Sequence, residues 1–148
     1  MKFWFTSIAF VLTLLVSSAG IAAERGTPDD AKAMAVKAAA FLKEAGVEKA
    51  FDAFNKDPAW HDRDLYVFVQ DDTFTVRAHG AQAALIGRNF ANLKDVDGKP
   101  FTQEMQAIKS EGWIDYKWQD PVTKKVEPKK SYGVRVGEYI VAVGAYAN

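Results

Sequence analysis

The chain has 148 residues, balances 19 basic against 19 acidic side chains, and contains no cysteine. A net charge near zero removes the electrostatic case for nucleic acid or an anionic membrane surface as partner. Without cysteine there is neither a disulfide scaffold nor a thiolate metal site, so stability has to come from an apolar core.

The opening stretch MKFWFTSIAFVLTLLVSSAGIAAE carries Lys2, then an uncharged apolar run, then a cluster of small residues before the first acid, Glu24. This is the layout of a secretory signal over residues 1–23, with cleavage after Ala22 or Ala23. Residues 24–148 then form a single domain of about 125 residues. The product is expected to be periplasmic or secreted. The alternative is an uncleaved anchor, since about 20 uncharged residues just span a bilayer. No later apolar run is long enough for that, so no membrane insertion is expected once the signal is removed.

Thr27-Pro28-Asp29-Asp30 is a helix start, with a hydroxyl cap, proline at the first helical position and acids in the first turn. Met34, Ala38, Phe41, Leu42 and Ala45 follow at helical spacing, and Val47, Ala50, Phe51 and Phe54 continue beyond Gly46. The spacing predicts one long helix that bends or breaks at Gly46. Asn55 to Asp64 reads as a loop. Leu65 to Gln70 is apolar on both alternating faces and predicts a central strand. Asp71-Asp72-Thr73 then turns the chain into a second strand, with Phe74, Val76 and Ala78 on one face and Thr75, Arg77 and His79 on the other. Gly80 to Pro100 is a loop-rich crossing, and Phe101 to Lys109 fits a short helix.

The stretch from Gly112 to Tyr146 predicts three more strands. In the first, Ile114, Tyr116 and Trp118 share a face. A charged hairpin loop runs from Asp120-Pro121 through Pro128. Tyr132, Val134 and Val136 alternate in the second strand, Gly137-Glu138 turns, and Tyr139 to Tyr146 is apolar enough to be interior. The order predicts an α+β domain whose antiparallel sheet carries the long helix on one face and the crossing loops on the other.

Few residues are suited to catalysis. After the signal there are two histidines (His61, His79) and two serines (Ser110, Ser131). Neither histidine lies in a zinc-binding spacing, neither serine in GxSxG or SxxK, and the glycines form no phosphate loop. No enzyme, metal or cofactor is therefore expected. Asp95-Val96-Asp97-Gly98 opens like a calcium loop, but Gln106 occupies the place of the closing glutamate, and the stretch reads as an Asp–Gly turn. Among Lys124, Lys125, Lys129 and Lys130, Lys129 stands apart. It lies at the mouth of a strand near aromatic positions, where a lysine can orient a small anion.

Taken together, YVFVQDDTFTVRAH, LIGRNFANLKDVDGKPF and GWIDYKWQDPVTKKVEPKKSY…GEYIVAVGAY resemble the single-cache sensor family, type 2, over roughly residues 30 to 146. The resemblance implies a PAS-like antiparallel sheet behind a long N-terminal helix, with a pocket that senses small ligands outside the cytoplasm, commonly short carboxylic acids. By matching positions it implies a ligand site drawn from Tyr116, Trp118, Lys129, Tyr132, His79 and Arg88. Each of these also has a purely structural reading, as packing or loop fastening. Two departures stand out: Asp71-Asp72-Thr73-Phe74 lacks the family's turn glycine, and the sequence given ends at Asn148, directly after the last strand. The expectation is a stand-alone module that captures a small organic acid, or presents it to a membrane receptor or kinase. The alternative is an interaction scaffold whose pocket is filled by its own side chains.

Overall fold

The computed structural model describes residues 24–147; the predicted signal segment lies outside the described residues. Helix α1 (Pro28–Ala45) starts as its sequence requires: the Thr27 hydroxyl accepts from the Asp30 N–H at 3.1 Å, and the Asp30 carboxylate accepts from the Thr27 N–H at 3.0 Å. This reciprocal cap satisfies two otherwise orphaned donors. Gly46, at φ +83°, ends α1, and α2 (Val47–Lys56) sets off in a new direction, so the predicted long helix breaks. The face α1 buries is a stripe of alanines, Ala31, Ala35, Ala38 and Ala39, closed by Leu42, with Met34 and Phe41 only flanking it. Small side chains there let the helix lie close against the sheet.

The strands are β1 (His61–Asp62), β2 (Leu65–Gln70), β3 (Val76–His79), β4 (Glu111–Gln119), β5 (Val126–Val136) and β6 (Tyr139–Tyr146), with α3 (Phe101–Gln106) between β3 and β4. They form one antiparallel sheet in the order β1-β2-β6-β5-β4, with β3 also pairing to β2. The last strand thus inserts beside the first long one, which makes β2 central, as its continuous apolar run predicts.

Two details depart from strict expectation. The β4–β5 loop closes sooner than predicted, because β5 already begins at Val126 and Pro128 pairs with Lys117. Proline is tolerated there because β6 has run out: the Pro128 carbonyl accepts from the N–H of Ala147, just past the strand. In β3, the register shifts opposite Val69 and Gln70. This irregularity brings Val76 and His79 onto the same cavity, although simple alternation puts them on opposite faces.

The sheet separates two cores. On the helix side, α1 and α2 cover Leu65, Val67, Val69, Tyr132, Val134, Val141 and Val143. On the other side, α3 and the crossing segment cover Ile114, Tyr116, Ile140 and Ala142 with Phe101, Met105 and Ile108. The predicted Asp–Gly turn is present: the Asp95 Oδ1 accepts from the N–H of Asp97 and of Lys99, both at 2.9 Å. Its other oxygen accepts from the Lys117 N–H at 3.0 Å, which fastens the loop to the outer edge of β4.

Candidate functional site

Strand alternation decides which side chains meet beneath α3. On β2 the odd residues face the helices, and Tyr66, Phe68 and Gln70 face the other way. On β5 the same side holds Lys129 and Ser131, on β6 Gly144 and Tyr146, and on β4 Tyr116 and Trp118. His79 joins them from β3. A small cavity of about 30 Å³ lies here, walled by Tyr66, Phe68, His79, Tyr116 and Trp118; Lys129 and Tyr146 lie beside it and line, with Tyr116, a neighbouring open groove. Phe101 roofs it, stacked flat on Tyr116 with ring centroids 4.3 Å apart.

Lys129 is the unusual member. It is 2 % exposed, yet among the described residues its ammonium makes a single hydrogen bond, donated to the Tyr66 hydroxyl at 2.7 Å. Three rings surround it, with centroids at 4.2 Å (Tyr66), 4.9 Å (Tyr146) and 5.4 Å (Phe68). Among the described residues no carboxylate reaches salt-bridge distance of it. An ammonium has three N–H donors, so most of its hydrogen-bonding capacity is unused inside the protein. Burial pulls its pKa down to about 7, against the opposing attraction of Asp64 and Asp120.

The neighbours are neutral polar groups. The Tyr116 hydroxyl and Ser131 Oγ are 2.9 Å apart, and the Tyr146 hydroxyl donates to the Gln119 carbonyl at 2.7 Å. Burial raises the pKa of all three phenols, Tyr66, Tyr116 and Tyr146. His79 is held neutral: burial first, then the Lys129 charge, lower its pKa to about 3. Its Nδ1 accepts from the N–H of Gln82 at 3.0 Å and of Ala81 at 3.3 Å, which places the proton on Nε2. The cluster therefore brings together one ammonium, several hydroxyl groups and one imidazole N–H beside a small apolar cavity. Such a set matches a small anion with few atoms, held by charge at one end.

Of the six residues singled out in the sequence, four meet here: Lys129, Tyr116, Trp118 and His79. Trp118 is half-buried and borders both this cavity and an outer groove. Tyr132 lies on the opposite face of the sheet, against Trp113 at 4.8 Å and under the ammonium of Lys32 from α1 at 5.0 Å. Arg88 is exposed on the outer groove beside Asn89 and Trp118, and its carbonyl accepts from the Val76 N–H. Sequence reasoning passed over Tyr66, Ser131, Gly144 and Tyr146. The signal for Gly144 was available, because a glycine inside an apolar strand marks close approach of another group.

The fold defines a PAS-like α+β domain: an antiparallel sheet with helices on one face and a small roofed cavity on the other. The Single Cache domain 2 family model matches residues 22–148, and the chain belongs to that family. Solved structures agree in fold. A methyl-accepting chemotaxis protein from Vibrio parahaemolyticus RIMD 2210633 superposes with TM-score 0.68 at 19% identity, over 80% of this chain and 86% of its own. The periplasmic sensor domain of a chemotaxis protein gives 0.64 at 20%, over 78% and 87%. A Cache chemosensory domain solved for its carboxylic acid recognition gives 0.64 at 21%, over 81% and 88%. No curated protein matches the chain. Among the described residues no helix is long and apolar enough to cross a membrane.

Proposed function

We propose that this chain binds a short organic monocarboxylate outside the cytoplasm, with Lys129 as the charge partner. It acts as a binding protein that sequesters the acid or presents it to a membrane receptor or kinase. The observation that carries this reading is the buried Lys129 ammonium with a single neutral hydrogen-bond partner. Burying an ammonium without a counter-charge costs several kcal/mol, and an anion at this position offsets that cost. One cation and an apolar roof favour a single carboxylate on a short tail over a dicarboxylate. The structural neighbour solved for carboxylic acid recognition supports the same ligand class.

Isothermal titration of acetate, propionate and pyruvate against the wild type and Lys129→Met tests the reading. The expected result is saturable binding to the wild type that the variant loses. Heat absent with all three acids, or equal binding by the variant, sinks it. A second reading, a scaffold without ligand, has one observation behind it: the cavity holds only about 30 Å³. Under that reading none of the acids shifts the melting temperature, and a partner protein is recovered on the sheet or helix surface instead.

A further inference from the structure

The first residues of the domain carry a charge cluster that the binding site does not use. Arg25 brings Nη1 to 2.6 Å from Asp120 Oδ2 and 3.7 Å from Asp64 Oδ2, and Nη2 to 3.0 Å from Glu127 Oε2. Asp64 and Asp120 are both buried. The other Asp64 oxygen accepts from the Gly26 N–H at 2.7 Å, so the segment 24–27 is strapped to the β1–β2 turn and to the β4–β5 hairpin at once. Three acids converge there on one guanidinium. Arg63 adds a hydrogen bond to the Arg25 carbonyl at 3.0 Å.

This cluster adjoins the Lys129 site through one side chain. The ring of Tyr146 has the Arg25 guanidinium 5.8 Å from its centroid and the Lys129 ammonium 4.9 Å from it. The Tyr146 hydroxyl donates to the carbonyl of Gln119, the residue before Asp120. Asp64 in turn stands two residues before Tyr66, which holds Lys129. Two cations thus share one ring and one pair of buried acids. Arg25 is one-fifth exposed and Lys129 buried, and across the shared ring their like charges repel, so each opposes the docking of the other.

We propose that residues 24–27 form a charge-sensitive strap, with Arg25 as a positioning residue for the anion site. An anion that neutralises Lys129 removes the repulsion on Arg25 and docks the strap more firmly. By the reciprocity of linked equilibria, a docked Arg25 strengthens anion binding by the same factor. The proposal rests on Lys129 as the group that takes the anion, but the charge coupling itself can be read without any ligand.

The reporter is the Gly26 amide, whose hydrogen exchange slows as the strap docks. At pH 6, Lys129→Met is expected to slow Gly26 exchange about fivefold, the low end of typical coupling between sites. Sodium acetate at saturation is expected to act in the same direction on the wild type. In the reverse arm, Arg25→Met raises the titration midpoint of the Lys129 ammonium by about 0.7 pH unit, the same factor expressed as proton affinity. Arg25→Lys, which keeps the charge, leaves the midpoint in place. General loosening of the structure moves Gly26 exchange the other way, so the two causes separate. Unchanged or faster Gly26 exchange in a folded Lys129→Met protein overturns the strap, as does a Lys129 midpoint that ignores Arg25→Met. Should Lys129→Met fail to fold, the midpoint arm decides. Acetate that gives no heat in titration counts against the proposed function and leaves the two variant arms to judge the strap.

Discussion

Gly144 leaves the space through which Lys129 passes. A Cβ on Gly144 would stand 2.2 Å from Lys129 Cε and 2.2 Å from Ser131 Oγ, well inside van der Waals contact. The stem of the buried lysine therefore crosses the one position on β6 that has no side chain, and from there the ammonium reaches Tyr66.

Gly144→Ala is accordingly expected to push Lys129 off Tyr66 and to weaken anion binding at least tenfold. Overpacking of a filled core typically costs about 1–3 kcal/mol, so chemical denaturation provides the second readout. A variant with wild-type stability and wild-type affinity would show that the lysine does not depend on this gap.

Lys129 itself is expected to lower stability. Its pKa falls from 10.5 unfolded to about 7 folded, so between those values the unfolded chain binds the extra proton and stability rises with pH. Below pH 7 the folded state carries the full cost of the buried ammonium, on the order of 5 kcal/mol given about 1.4 kcal/mol per pH unit of displacement. Lys129→Met should therefore melt higher than the wild type at pH 6, with the gap closing as pH climbs from 7 towards 10.5. Melting curves across that range check it. A variant less stable at pH 6 than at pH 10, relative to the wild type, contradicts the sign.

Anion affinity should follow the same proton. Short carboxylic acids are already ionised at pH 6, His79 stays neutral down to about pH 3, and the phenols of Tyr66, Tyr116 and Tyr146 are pushed above their usual 10.0. Lys129 is then the group around the cavity that changes charge between pH 6 and 9. Binding is strongest below pH 7 and weakens by about tenfold per unit above it. Titrations of acetate at pH 6, 7, 8 and 9 measure the slope; affinity independent of pH would take the ammonium out of recognition.

Much of this geometry is readable from the sequence by counting. The Gly137-Glu138 turn leaves Val136 opposite Tyr139, and a two-residue turn fixes everything behind it: Ser131 falls opposite Gly144 and Lys129 opposite Tyr146. Period two likewise sets Lys129 and Tyr132 on opposite faces of β5. The cap at Thr27 and the centrality of β2 were equally plain. Two things were not. The pairing of β2 with β6, which brings Tyr66 to Lys129 across 63 positions of sequence, is a tertiary choice with no local signal. The irregularity in β3 that turns His79 towards the cavity follows from how Gln70 meets Val76, and alternation alone conceals it.

The two faces of the sheet give a last, discriminating prediction. Tyr132 packs beneath α1 and Arg88 stands in the open, so both lie away from Lys129. Tyr132→Phe and Arg88→Ala should each leave acetate affinity within roughly twofold, the effect of about 0.5 kcal/mol usual for substitutions away from a site. Tyr132→Ala should instead cost about 3–5 kcal/mol of stability by opening a cavity under the helix, with binding retained while the protein stays folded. Tyr66→Phe, which removes the only side-chain hydrogen-bond partner of the Lys129 ammonium among the described residues, is expected to alter affinity and the Lys129 titration together. Affinity that follows Tyr132 or Arg88 and ignores Tyr66 would move the recognition site off this face of the sheet.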